Sequence, residues 1–232
     1  MRNFYFQVKE NNMSFEPPVI VEGDQPTKAV VIWLHGLGAD GFDFEPIVPQ
    51  LQFAQRDQVR FIFPHAPVRP VTLNAGMPCR AWFDILSLTR GNNEDISGMN
   101  ATNVYIQSLI NDQVKGGIDS TKIMLAGFSQ GGAMALYSAL NCDKPLAGVM
   151  GLSTLLGGSL ELEKSRLAVN QQIPILLTHG QYDEVLPYAL GEQSREMLMS
   201  WGYSVEWKSY PMAHHLCAEE LVDIACFLQK NL

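Results

Sequence analysis

The sequence predicts an α/β fold, with a mostly parallel central sheet and helices on both faces, in a single domain covering residues 1–232. Short apolar runs alternate with longer segments of helical spacing, the order expected of layered α/β proteins. The central runs are apolar on both sides of the pleat, as strands are when helices cover both sheet faces. A hydrophobic content of 47% and a charged content of 17% suit a chain that buries a sizeable core.

Six strands are expected: Ala29–His35, Val59–His65, Lys122–Phe128, Ala147–Ser153, Ile173–His179 and Tyr203–Tyr210. The opening "NFYFQV" adds a candidate antiparallel edge strand. Residues 100–114 form an amphipathic helix with Val104, Tyr105, Leu109, Ile110 and Val114 on its apolar face, and a second helix starts at Gln130. Residues 219–228 offer Leu221, Ile224, Ala225 and Leu228 for docking a final helix. The longest irregular stretch, residues 66–96, exceeds the roughly 15 residues usual for a structureless loop. It is expected to hold a short helix or hairpin and to shape a substrate site.

Sixteen basic against 24 acidic residues give a formal charge of −8, which argues against a nucleic-acid or anionic-membrane surface as the main partner. No apolar run reaches the roughly 18 residues of a membrane span. The N-terminal segment is interrupted by Lys9, Glu10, Asn11 and Asn12, unlike a secretory signal, so the expected location is cytoplasmic. Cys79, Cys142, Cys217 and Cys226 show no CxxC spacing and read as buried free thiols, with no zinc site.

The chemistry concentrates around "AGFSQGG". A GxSxG sequence between an apolar strand and a helix raises Ser129 on a sharp turn, while Gly127 and Gly131 leave room for the backbone crossing. Ser153 ends another apolar run but lacks this glycine pattern. A serine hydroxyl needs a base, and the base needs an orienting carboxylate. Asp183, in the turn after Ile173–His179, is the expected acid, with Glu184 beside it projecting differently. His35, His65 and His179 read as structural or positioning groups, so the base is His214 or His215, between the last strand and the last helix. The order serine, aspartate, histidine is that of α/β-hydrolases. The glycine-rich "HGLGADG" supplies an anion-stabilising turn, with the backbone N–H groups of Leu37 and Gln130 as oxyanion donors. A phosphate loop is disfavoured because GxxxxGK[ST] is missing.

"VIWLHGLGADG", "FIFPHAPVRPVTLNAGMPCRAWFDI", "IMLAGFSQGG", "ILLTHGQYDEVLP" and "YPMAHHLCAEE" together resemble the acyl-protein thioesterase and carboxylesterase family of small α/β-hydrolases, over nearly the whole chain. The resemblance implies a serine hydrolase of carboxylic esters or thioesters, S-acylated proteins among the candidate substrates, working without cofactor or metal. It selects His214 over His215 and groups it with Ser129 and Asp183. Ala213 stands where the family usually has glycine, and His215 where it has a small or acidic residue. Leu73, Met77 and Trp82 fall in a segment resembling the family's acyl-groove loop, and the resemblance admits a homodimer. The alternatives are a carboxylesterase for short esters and a noncatalytic binding protein on the same scaffold.

Overall fold

A computed structural model describes residues 15–87 and 94–232. In chain order its strands are β1 (Val19–Val21), β2 (Ala29–Leu34), β3 (Val59–Phe63), β4 (Val68–Pro70), β5 (Pro78–Arg80), β6 (Ile123–Phe128), β7 (Gly148–Leu152), β8 (Ile175–Gly180) and β9 (Val205–Tyr210). The α-helices are α1 (Ile96–Lys115), α2 (Gln130–Leu140), α3 (Ser159–Ser165), α4 (Tyr188–Ser200) and α5 (Ala218–Asn231).

Seven strands form one sheet in the order β1-β3-β2-β6-β7-β8-β9. All pairs are parallel except β1 with β3. This is the α/β-hydrolase arrangement expected from the alternating pattern, and β2, β7 and β8 are buried throughout, as two-sided coverage requires. The observed antiparallel edge is Val19–Val21; the candidate edge strand "NFYFQV" lies outside the described residues.

Alternation along the strands divides the interior into two cores. Val30, Ile32 and Leu34 face a layer containing Met99, Ile106, Met134 and Leu198 from α1, α2 and α4. Val31 and Trp33 face the opposite layer, where Ile224, Phe227 and Leu228 of α5 meet Phe44, Val48 and Leu51. Helix α1 starts before residue 100 because Asp95 caps it, Oδ1 accepting Gly98 N–H at 2.8 Å. Val104 proves exposed, so the apolar face of α1 is carried by Met99, Tyr105, Ile106, Leu109 and Ile110.

The long segment after β3 contains the antiparallel hairpin β4–β5 joined through a short 3₁₀ turn at Thr72–Asn74. Residues 88–93 of that segment lie outside the described residues. All four cysteines are unpaired, but only Cys142 is buried; Cys79 and Cys217 are half-buried and Cys226 is exposed on α5. Cys226 falls on the solvent side because Ile224, Ala225, Phe227 and Leu228 take the core face of that helix.

Candidate active site

Ser129 joins the end of β6 to the start of α2 with φ 53° and ψ −121°, a conformation that costs a non-glycine residue about 1–3 kcal/mol. The turn is held by Ser129 N–H donating to Leu152 O at 2.9 Å and by the Thr154 hydroxyl donating to Ser129 O at 2.6 Å. Both flanking glycines are sterically required. A Cβ on Gly127 would stand 2.2 Å from Gly131 O, and one on Gly131 would stand 2.3 Å from Leu34 O. Ser153 is wholly buried instead, on the next strand end.

The Ser129 hydroxyl lies 3.0 Å from His214 Nε2, and His214 Nδ1 lies 2.7 Å from Asp183 Oδ2. A carboxylate only accepts, so Nδ1 carries the proton and Nε2 is left to accept from serine. Asp183 Oδ1 is occupied by the N–H groups of Val185 and Leu186, at 2.9 and 2.8 Å. His179 donates through Nε2 to Leu186 O at 2.8 Å and thereby closes the same turn; burial lowers its pKa. Phe128 packs on the His214 ring, with centroids 4.7 Å apart. His215 points to solvent, its Nδ1 3.0 Å from Leu216 O, and Glu184 is exposed.

The glycine-rich turn after β2 lies directly above the serine: a Cβ on Gly36 would be 3.6 Å from the Ser129 Cβ. His35 Nδ1 donates to Gly36 O at 2.7 Å while Nε2 accepts Ala66 N–H at 3.0 Å. Burial brings the His35 pKa down to about 4, which keeps the ring neutral for both bonds. Across a trans peptide the carbonyl and the following N–H point opposite ways, so anchoring Gly36 O fixes the aim of Leu37 N–H. Gln130 opens α2, where the first amide has no intrahelical acceptor. Leu37 and Gln130 both line a cavity with Ser129.

Its extent is about 810 Å³, including an open mouth, and its walls include Leu73, Phe83, Ile85, Ala133, Leu155 and Leu186. Asp84, Glu94 and Asp95 lie at its polar margin, where they already accept from Thr72, Gly158 and Gly98 respectively. Of the three residues expected to meet substrate, Leu73 is on the wall. Met77 is 57% exposed and lies outside the lining, because the hairpin tip turns it to solvent. Trp82 requires a correction: it has no exposed surface, and its Nε1–H donates to His35 O at 2.8 Å, so it supports the loop from beneath.

Sequence reasoning treated Gln130 only as a backbone donor. Its side chain pairs with the neighbouring loop as a strand would, accepting Trp82 N–H at 3.0 Å and donating to Phe83 O at 2.8 Å. Thr154 and the walls at Ala133 and Leu155 were also missed, since nothing in their local pattern separates them from core residues. The N–H groups given to Asp183 had a local signal, an aspartate followed two and three residues later by Val185 and Leu186.

The phospholipase/carboxylesterase family profile matches residues 15–232. Acyl-protein thioesterase 1 of Neurospora crassa is 38% identical over 230 residues, covering 95% of this chain and 94% of the relative. Acyl-protein thioesterase 1 of Gibberella zeae is also 38% identical, over 93% of this chain and 95% of the relative. Among solved structures, acyl-protein thioesterase 2 of Zea mays superposes with a TM-score of 0.83 at 31% identity, covering 92% of this chain and 98% of that one. A carboxylesterase of Bacillus cereus, at 18% identity and a TM-score of 0.73, shares the fold over 96% of each chain.

Proposed function

The chain belongs to the phospholipase/carboxylesterase family, and on that premise we propose which residues do its chemistry and which substrate it takes. It is a hydrolase of carboxylic esters and thioesters. In the proposed cycle Ser129 Oγ attacks the acyl carbonyl as His214 Nε2 takes the hydroxyl proton. The tetrahedral oxygen accepts hydrogen bonds from the Leu37 and Gln130 N–H groups, donors of a kind worth roughly 10²–10³-fold each. Collapse breaks the acyl–S or acyl–O bond, and His214 hands the proton it took from Ser129 to the departing thiolate or alkoxide, returning to its neutral form. Water then attacks the acyl-enzyme, giving its proton to His214, and the free acid leaves with Ser129 restored. Asp183 holds the imidazole orientation throughout.

The substrate we assign is a medium- or long-chain acyl thioester on a protein cysteine, processed in the cytoplasm. The hydrogen-bonded run from Ser129 through His214 to Asp183, opening on a cavity walled by Leu73, Phe83, Ile85, Leu155 and Leu186, carries this reading. Each methylene that enters such a cavity contributes up to about 0.8 kcal/mol. The names of the thioesterase relatives support the same substrate. A homodimer is the assembly to seek by sedimentation. The deciding experiment is a kcat/KM series on soluble thioesters from acetyl to palmitoyl below their aggregation thresholds, paired with an S-acylated peptide. A rise to at least eight carbons with cleavage of the peptide is expected. A maximum at two to four carbons with an uncut peptide would assign a short-ester carboxylesterase instead, and no turnover at all would assign a binding protein.

A further inference from the structure

We propose that Glu220 is a positioning residue that fixes the loop carrying His214 to the strand leading to Asp183, an inference that rests on the proposed Ser129–His214–Asp183 assignment. Helix α5 begins almost immediately after that loop, with Cys217 as its N-cap and Glu220 three positions on. An N3 glutamate ordinarily reaches back to the N-cap amide from the solvent side. Here the residue is wholly buried. Its Oε1 accepts the Thr178 hydroxyl at 2.5 Å. Thr178 belongs to β8, whose following turn carries Asp183. One carboxyl therefore joins the exit of the His214 loop to the strand that delivers its partner.

The entrance of the loop is fixed by other means. A Cβ on Gly180 would stand 2.4 Å from both Met212 O and Ala213 O, so the end of β8 touches the backbone just before His214. Tyr182 N–H donates to Met212 O at 3.0 Å. Glu220 supplies the corresponding tie on the far side, where Cys217 follows His214 by three residues.

The position is a costly one for a carboxyl. Oε2 has no hydrogen-bond partner among the described residues, and an unsatisfied buried polar atom opposes folding. Burial raises the Glu220 pKa to about 7; the Thr178 bond opposes that rise and the Asp223 charge adds to it. Asp223 is itself engaged by the Tyr210 hydroxyl at 2.7 Å from β9 and by Lys208 at 3.4 Å. Burial favours the uncharged carboxyl, and the bond it makes is one an amide oxygen can also accept, so a glutamine should serve in its place.

The test compares Glu220→Ala, Glu220→Gln and Thr178→Val by kcat and KM on one soluble thioester, with circular dichroism and thermal melts as fold controls. Displacing the base should lower kcat on the order of 10- to 100-fold in Glu220→Ala and Thr178→Val, with KM nearly unchanged. Glu220→Gln should restore most of the rate, and the Ala/Val double variant should be little worse than either single one, because both remove the same link. A folded Glu220→Ala or Thr178→Val enzyme with wild-type kcat would overturn the proposal, as would a folded Glu220→Gln enzyme as impaired as Glu220→Ala. If Glu220→Ala does not fold, the other two variants still decide it. Labelling of wild-type Ser129 by a fluorophosphonate separates the two levels: an unlabelled serine sinks the triad assignment itself, whereas a labelled serine with fully active variants sinks only the role of Glu220.

Discussion

The Asp183 carboxylate approaches His214 Nδ1 to 2.7 Å through one oxygen while its other oxygen is committed to two backbone N–H groups. The acid therefore cannot rotate to follow the imidazole; the imidazole must come to it. Asp183→Asn keeps the shape but can turn an N–H donor toward Nδ1, favouring the tautomer that cannot accept the serine proton. We expect kcat to fall by about 10⁴-fold with the fold retained. A variant within tenfold of wild type by steady-state kinetics would show that the carboxylate does not set the tautomer.

Ser129 sits on a strained turn beside His214 Nε2 at 3.0 Å. A serine-reactive fluorophosphonate should form one adduct per chain, mapped by mass spectrometry to Ser129, and Ser129→Ala should abolish it without unfolding the protein. Stoichiometric adduct on another residue, with Ser129 bare and activity lost, would contradict the assignment.

The paired histidines should separate cleanly. His214→Ala removes the proton acceptor and should cost several orders of magnitude in kcat/KM, whereas His215→Ala changes an exposed ring and should stay within roughly threefold. The reverse pattern in folded proteins would mean that the turn functions in the other register.

The separation of these two rings also marks where the sequence stops being readable. The strands β2, β3, β6, β7 and β8 and the serine turn were legible because burial on both faces and the close backbone crossing at Gly127 and Gly131 leave local signatures. The choice of His214 over its neighbour came from resemblance to a family, since adjacent residues share one loop and differ only in where the backbone aims them. Trp82 shows the opposite failure. A tryptophan in a loop near the site reads as a substrate wall, but its burial depends on His35 O, 47 positions earlier in the chain. The Gln130 side chain is similar, because its partners at Trp82 and Phe83 become neighbours only when the sheet assembles.

Acyl preference should respond to the cavity wall more than to Trp82. Ala133→Phe places a ring in the cavity beside Ser129 and should reduce kcat/KM for octanoyl thioesters much more than for acetyl thioesters, up to about 0.8 kcal/mol for each excluded methylene. Trp82→Ala should instead lower stability by about 3–5 kcal/mol, as large buried deletions do, and lower activity at every chain length. Met77→Ala should leave the chain-length series nearly flat relative to wild type. A selective loss of long-chain activity in Met77→Ala, with none in Ala133→Phe, would relocate the acyl path to the hairpin tip.

His35 gives the protein a defined acid sensitivity. Its two bonds, Nδ1 to Gly36 O and Ala66 N–H to Nε2, are both satisfied only by a neutral ring, and burial brings its pKa from 6.5 down to about 4. Unfolded chains take up this proton near pH 6.5, whereas the native state resists it until about pH 4. The contribution is therefore complete above pH 6.5 and is lost as the pH falls through that window. Between pH 7 and pH 4.5 the loss amounts to about 2–3 kcal/mol. His65 and His179, also lowered by burial, push in the same direction, so the diagnostic quantity is a difference between proteins. Urea unfolding of wild type and His35→Phe at both pH values should show a less stable variant at pH 7 but a shallower decline on acidification. Activity should report the same ring independently: without the Nδ1 bond, Gly36 O is released and Leu37 N–H loses its aim, so kcat should fall at pH 7 while KM changes little. Equal acid slopes in the two proteins would show that His35 is not the group that titrates, and an unchanged kcat would remove it from the support of the anion-binding turn.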